Sequence, residues 1–207
     1  MEQKNIILVG GGESFSKYED FLNYLKKTEL RDMPSDIQRK SWKLWVKEEL
    51  GAEYYFAIPQ MPNKQNAKYD EWKIWFERHL EVLTDGPLTL IGLSLGAQFL
   101  AKYLIENNLD RKPQALFLLA GPCGYYDDPD GMDCASFGFE TTKLVKLKSK
   151  AEKIYILHSE DDSVVPYEHA LKYKAALPAA ELVTFEDKNH FLVEELPELV
   201  ELVKELG

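Results

Sequence analysis

The sequence has few cysteines, no long apolar run and no excess of basic residues. Cys123 and Cys134 are too few for a disulfide framework, and their spacing is not that of a zinc-binding pair. No segment approaches the ~18 consecutive apolar residues of a membrane span, and the apolar run near the N-terminus is shorter than the ~7–15 residues of a secretory signal. We therefore expect a cytoplasmic protein that does not associate with membranes.

The charge balance excludes another class of protein. The chain carries 35 acidic and 25 basic residues, for a net charge of -10. Because nucleic acids attract clusters of lysine and arginine, we expect no nucleic-acid partner. Hydrophobic residues make up 45% of the 207 residues, which is typical of a folded globular protein. The length suits one domain over residues 1–207.

Short apolar runs alternate with amphipathic stretches along the chain. This alternating pattern predicts an α/β fold, namely a three-layer α/β/α sandwich with a mostly parallel sheet of about six strands. Several of the runs are almost wholly apolar, as strands covered by helices on both faces are. The predicted strands cover residues 5–9, 52–58, 88–93, 115–120, 153–158 and 182–185.

Tryptophan and other large apolar residues recur at helical spacing between the predicted strands. Trp42 and Trp45 mark one helix, Trp72 and Trp75 mark a second, and both stripes are predicted to face the core. A third helix follows Ser94, and a last amphipathic helix starts at a proline. The isolated histidines His79, His158 and His169 are predicted to lie at the surface or to cap helices.

Two segments depart from this alternation. Residues 13–40 contain a polar, helix-like stretch and are predicted to form a flap or lid. Residues 121–139 follow the fourth strand and are rich in glycine, proline and aromatic residues, so both segments are expected to border a ligand pocket. The second contains four aspartates whose spacing does not match a calcium loop, and we predict a solvated loop without metal. They are Asp127, Asp128, Asp130 and Asp133.

The stretch "LTLIGLSLGAQFLAKYL" places Ser94 between Gly92 and Gly96, where a strand gives way to a helix. G-x-S-x-G in this context is typical of a nucleophile elbow, in which glycines relieve crowding around a serine on a strained turn. The start of the following helix also favours negative charge at the site. Ser94 is therefore a candidate nucleophile.

A serine nucleophile needs a base and an orienting carboxylate, and both follow in the chain. "HSEDDSVVP" comes after the fifth strand, and "FEDKNHF" with His190 comes after the sixth. Asp162 is preferred to Asp161 and Glu160 as the acid because it precedes a turn that should aim it inward. Each group lies beyond the carboxyl end of a strand, so the three can meet at one sheet edge.

An oxyanion formed in acyl transfer needs N–H donors. We expect these from the backbone of Leu95 and of Gly12, with Glu13 as an alternative to Gly12. The glycines at 10–12 lack the spacing of a dinucleotide motif and the lysine of a P-loop, so no nucleotide or other cofactor is expected. Contacts with the substrate are predicted at four residues near this site. They are Gly11, Glu13, Leu93 and Cys123.

These motifs together resemble the small α/β-hydrolases grouped with retinoblastoma-binding protein nine and the YdeN-type proteins. The resemblance covers most of residues 5–206 and places Ser94, Asp162 and His190 on the family's catalytic triad. Many relatives carry histidine where this chain has Leu93, and often glycine where it has Asn189.

The resemblance and the motifs imply a serine hydrolase that acts on a small-molecule acyl substrate, with a small carboxylic ester as first expectation and a thioester or amide as variants. The alternative is a protein-interaction module on a hydrolase scaffold, since a fold does not determine a function. The oligomeric state is left open.

Overall fold

The computed structural model describes residues 3–28, 41–126 and 133–207. Within these residues, six strands form a single sheet in the order β2-β1-β3-β4-β5-β6, and every neighbouring pair is parallel. The predicted sheet of about six strands is confirmed. The strands are β1 (Lys4–Val9), β2 (Tyr54–Ala57), β3 (Leu88–Leu93), β4 (Ala115–Leu119), β5 (Lys153–Ser159) and β6 (Glu181–Phe185).

Helices cover both faces of the sheet. Their bounds are α1 (Tyr18–Lys27), α2 (Trp42–Leu50), α3 (Tyr69–Leu80), α4 (Leu95–Glu106), α5 (Glu168–Ala176) and α6 (Pro197–Lys204), with short 3₁₀ helices at Gly51–Glu53, Ala135–Phe137 and Thr141–Ser149. The helices α2 and α6 pack on one face, whereas α3, α4 and α5 pack on the other. The three-layer α/β/α architecture is therefore confirmed.

The period-2 pattern of the strands explains the two cores. In β1, Ile6 and Leu8 point into the core on the α2 side, and Ile7 and Val9 point into the core on the α4 side. All four are fully buried. A strand apolar on both faces is stable only between two layers of helices, so the apolar composition of this strand follows from its central position.

Only some of the tryptophans predicted to face the core are buried. Trp42 and Trp72 are buried as predicted, but Trp75 is exposed on the outer side of α3. Its ring packs instead on His79 and Arg78 of the same helix. The prediction for Trp75 was wrong because an amphipathic helix carries apolar residues at the margin of its buried stripe.

The local assignments differ from the predictions in other places. The predicted second strand begins too early, since residues 51–53 form a 3₁₀ turn after α2 ends at a glycine with φ 68°. The helix α5 and the 3₁₀ helix at Thr141–Ser149 were not predicted. Residues 29–40 of the predicted flap lie outside the described residues, and so do Asp127, Asp128 and Asp130 of the predicted solvated loop. In the described residues, no helix combines the length and the apolar composition of a membrane span.

Candidate active site

Ser94 lies on the sharp turn between β3 and α4. Its backbone angles are φ 55° and ψ -125°, a left-handed conformation that residues with a side chain rarely adopt. The Ser94 N–H donates to the carbonyl oxygen of Leu119 (2.9 Å), and the Ser94 carbonyl accepts from the N–H of Ala97 (2.9 Å). These bonds hold the strained turn from both sides, in the arrangement of a nucleophile elbow.

The two glycines of the motif are required by close packing. A Cβ at Gly92 would lie 2.5 Å from the Cα of Ala97, and a Cβ at Gly96 would lie 2.5 Å from the carbonyl oxygen of Gly10. Contacts of this length are repulsive, so neither position accepts a larger residue without movement of the backbone. β3 can approach the start of α4 because Gly92 has no side chain, and α4 can approach the end of β1 because Gly96 has none.

Asp162 and His190 are hydrogen-bonded to each other at the same edge of the sheet. The Nδ1 of His190 lies 2.9 Å from Oδ2 and 3.1 Å from Oδ1 of Asp162. The carboxylate is fully buried, and the imidazole is 12% exposed. A proton on Nδ1, held by the carboxylate, leaves Nε2 of His190 without one, as a general base requires.

The carboxylate of Asp162 is stabilised in its charged form. Burial by itself raises the pKa of Asp162, but hydrogen bonds from His158 and His190, together with the N–H of Val165, hold that pKa well below its ordinary value. The N–H of Val164 donates a further bond of 2.8 Å to Oδ1. Asp162 is therefore a permanent negative charge beside His190.

His158 was predicted to lie at the surface or to cap a helix, and this was wrong. Its side chain is 1% exposed at the end of β5, with Nε2 2.8 Å from the carbonyl oxygen of Val165 and 3.3 Å from Oδ2 of Asp162. Because a carbonyl oxygen can only accept, the proton must sit on Nε2. Its position near the carboxyl end of an apolar strand was the available signal that His158 is buried.

The loop that carries His190 is bent on both sides of the histidine. Asn189 has φ 46° and Phe191 has φ 51°, both in the left-handed region. Asparagine tolerates this region better than most residues, which accounts for its use before the histidine. The N–H of Asn189 donates to Oδ1 of Asp161 (2.8 Å), so Asp161 anchors the loop and Asp162 contacts the histidine.

The predicted oxyanion donors differ in their hydrogen bonding. No described residue accepts a hydrogen bond from the N–H of Leu95 or of Gly12. In contrast, the N–H of Glu13 donates to the carbonyl oxygen of Lys64 at 2.8 Å. The Glu13 N–H is therefore already engaged, and oxyanion binding by Leu95 and Gly12 stays a prediction.

Comparison with known proteins identifies the fold. No protein-family model matches the chain, and no curated protein is similar to it in sequence. Among solved structures, the ydeN gene product of B. subtilis is similar with a TM-score of 0.71 at 18% identity, over 99% of this chain and 98% of that one. Alpha/beta hydrolase domain-containing protein 10 from mouse is similar with a TM-score of 0.58 at 14% identity, over 100% and 91% of the two chains. This chain has the α/β-hydrolase fold.

A third similar structure is the esterase domain of a Rhodothermus marinus protein, with a TM-score of 0.60 at 14% identity over 98% of this chain and 83% of that one. The predicted likeness to α/β-hydrolases and YdeN-type proteins is confirmed for the fold. In the α/β-hydrolase fold, a serine after the third strand of this sheet lies at the edge where ligands bind.

Beside the loop after β1, this α/β-hydrolase fold contains an open cavity of about 440 Å³, and Ser94 is not among its described lining residues. Gly10 and Gly11 line it, and a Cβ at Gly11 would lie 3.5 Å from Oγ of Ser94. The start of α2 and the loop after β2 form its other walls. Sequence reasoning missed these walls, because residues 41–64 carry no catalytic motif.

The other predicted substrate contacts are not among the described lining residues of this cavity. Leu93 is buried in β3, and Glu13 lies on the loop after β1. Cys123 is buried, and its N–H donates to Nδ1 of His169 at 2.8 Å. Burial raises the pKa of the Cys123 thiol to about 12, so the thiol is a poor nucleophile. The roles of these residues in substrate binding stay predictions.

His169 was also predicted to lie at the surface or to cap a helix, and this was wrong. It is buried at the start of α5, where its ring meets the edge of Tyr126. Burial, the charge of Lys172 and His158 lower the pKa of His169 to about 4. His169 is therefore neutral at pH 7 and accepts the hydrogen bond that fixes the loop after β4.

Proposed function

We propose that the protein is a serine hydrolase that cleaves a small carboxylic ester, or a thioester or amide, through an acyl-enzyme. The observation that carries this proposal is the buried hydrogen bond between Asp162 and His190, at the sheet edge that also holds the strained turn at Ser94. Among the described residues, no hydrogen bond joins Ser94 to His190. Catalytic hydrogen bonds commonly tighten only when substrate binds.

The proposed first step is attack of the Ser94 hydroxyl on the acyl carbonyl carbon. The hydroxyl proton passes to Nε2 of His190, and Asp162 stabilises the resulting imidazolium. The carbonyl oxygen becomes an oxyanion that accepts hydrogen bonds from the N–H groups of Leu95 and Gly12. The intermediate collapses, and the leaving group departs with the proton from His190.

The proposed second step releases the acyl group as a carboxylic acid. His190 takes a proton from water, which attacks the acyl-enzyme and forms a second oxyanion in the same position. Collapse of this intermediate returns the proton to Ser94. The two steps use the same groups, so one arrangement of donors and base serves both.

Labelling with a fluorophosphonate probe tests the proposal directly. Intact-protein mass spectrometry should show one adduct on the wild-type protein and none on Ser94→Ala. Ser149→Ala is a matched control, since Ser149 is exposed in the 3₁₀ helix at Thr141–Ser149, and it should label like the wild type. Circular dichroism establishes that each variant is folded.

A panel of 4-nitrophenyl esters from acetate to octanoate, with matched thioesters and anilides, then defines the reaction class. The proposal would be falsified by folded wild-type protein that shows neither Ser94-dependent labelling nor turnover on this panel. Binding of a protein partner that survives Ser94→Ala, together with that result, would support the interaction module instead.

A further inference from the structure

A cluster of lysines lines the cavity at Gly10 and Gly11, and Gly11 connects this cavity to the candidate nucleophile. Gly11 faces Ser94, and the neighbouring Gly10 faces Lys43, whose Nζ lies 3.5 Å from where a Cβ on Gly10 would be. Consecutive Cα atoms are 3.8 Å apart, so the ammonium group and the Ser94 hydroxyl are separated by no more than about 14 Å. A small substrate bound at Ser94 can therefore reach Lys43.

The charge of the cavity is opposite to that of the whole chain. Lys43, Lys47 and Lys64 line it, and none of its described lining residues is acidic. The chain as a whole has a net charge of -10. Low-dielectric walls around charges of one sign concentrate their field, so this cavity attracts anions even though the chain repels them.

Lys43 has no counter-ion among the described residues. Other lysines in the structure do have one, since Lys102 pairs with Glu106 at 2.8 Å. The side chain of Lys43 is half-buried, and burial together with the charge of Lys64 lowers its pKa. A half-buried cation next to another cation is unfavourable unless an anion joins it, so the cavity is most stable when a negative group is bound.

We propose that this cavity binds a negatively charged group of the substrate, so that the preferred substrates are esters that carry a carboxylate. The proposal deepens the proposed function and rests on it. The carboxylate contacts Lys43, with Lys47 and Lys64 adding attraction, while the ester carbonyl lies at Ser94. Allowing about 3 Å for each of these two contacts, half-esters of dicarboxylic acids with roughly four to eight carbons span the distance.

Paired substrates that differ only in charge test the proposal. In the first pair, mono-4-nitrophenyl glutarate carries the carboxylate on its acyl group, and 4-nitrophenyl pentanoate is the neutral partner. In the second pair, 3-carboxy-4-nitrophenyl acetate carries the carboxylate on its leaving group, and 4-nitrophenyl acetate is the neutral partner. At fixed ionic strength, kcat/KM should favour the charged member of at least one pair, and that pair identifies the side.

Substitution of Lys43 should lower kcat/KM for the charged ester more than for the neutral one. In Lys43→Met, the ratio of kcat/KM for the charged over the neutral ester should fall about tenfold or more, as loss of one charge-assisted contact implies. Lys43→Arg should retain most of the ratio. Lys148→Met makes the same change of net charge on the exposed 3₁₀ helix at Thr141–Ser149, and its ratio should equal that of the wild type.

Calorimetric titration of glutarate into Ser94→Ala, with and without Lys43→Met, separates this proposal from the proposed function. Glutarate binding that depends on Lys43 would support the anion site even if no ester is hydrolysed. The anion site would be overturned if wild type and Lys43→Met had equal ratios of kcat/KM for charged over neutral esters and glutarate did not bind. Ester hydrolysis in that case would still support the proposed hydrolase. Absence of both hydrolysis and binding would overturn both.

Discussion

Replacement of His169 by asparagine should make the stability of the protein less sensitive to acid. The buried imidazole accepts a hydrogen bond from the N–H of Cys123 through Nδ1. An asparagine Oδ1 can accept the same bond, but it does not titrate. The substitution therefore removes a proton-binding group while retaining the contact that holds the loop after β4.

The expected magnitude follows from the pKa of His169, which burial, Lys172 and His158 lower from 6.5 to about 4, against a smaller opposite effect of Glu168. At about 1.4 kcal/mol for each pH unit, this difference corresponds to about 3 kcal/mol of folding free energy. Between these two pKa values the unfolded chain binds more protons than the folded one. The contribution of neutral His169 to the free energy of unfolding is thus complete above pH 6.5 and is lost as the pH falls towards 4.

The assay is urea unfolding of wild type and His169→Asn at pH 7.5, 6.5, 5.5 and 4.5, followed by tryptophan fluorescence. Subtracting the two curves cancels the titration of groups unaffected by the substitution. The free energy of unfolding of the wild type should fall by about 2–3 kcal/mol more than that of the variant over this range. His79→Asn, at the end of α3, is the control and should follow the wild type. Parallel losses in wild type and His169→Asn would refute the argument that His169 is held neutral by burial.

Three further predictions concern the candidate active site. Gly96→Ala should lower the free energy of unfolding by about 2 kcal/mol or more, because its Cβ would overlap the carbonyl oxygens of Val9 and Gly10. Gly10→Ala is the control and should have little effect, because its Cβ would make only an ordinary contact of 3.5 Å with Nζ of Lys43. Equal denaturation midpoints of the two variants would contradict the packing argument. Asp162→Asn should lower kcat at least a hundredfold and Asp161→Asn less than tenfold, and the reverse order would assign the acid to Asp161. His158→Leu should lower kcat/KM about tenfold and the free energy of unfolding by about 1–3 kcal/mol. His158→Gln keeps a donor for the carbonyl oxygen of Val165, so it should retain most of the activity and most of the stability. Equal kcat/KM in the two variants would exclude a positioning role for His158.

The fold could be predicted because its central strands are apolar on both faces. β3 and β4 are buried along their whole length, so hydrophobic runs alone locate them. Prediction was weaker at the edge of the sheet, where β2 alternates between buried and exposed residues and follows directly on a 3₁₀ turn. The helix α5 was missed because its apolar residues do not form a clear stripe.

The candidate triad could be predicted because strand ends have a fixed relation to one edge of a parallel sheet. Ser94, Asp162 and His190 each follow a strand, and that placement needs no side-chain geometry. Contacts between side chains distant in sequence could not be predicted in this way. His158 beside Asp162, His169 beneath Cys123 and Lys43 beside Gly10 depend on how loops and helices pack over the sheet.

The left-handed backbone of Ser94 sets a trade-off between folding and chemistry. A residue with a side chain at φ 55° costs of order 1–3 kcal/mol, and a glycine there would avoid most of that cost. The most stable sequence for this turn therefore lacks the hydroxyl group. Selection for thermal stability with free choice of residue at this position would favour glycine and give a more stable protein without the nucleophile. A stability screen of this scaffold should therefore keep Ser94 unchanged.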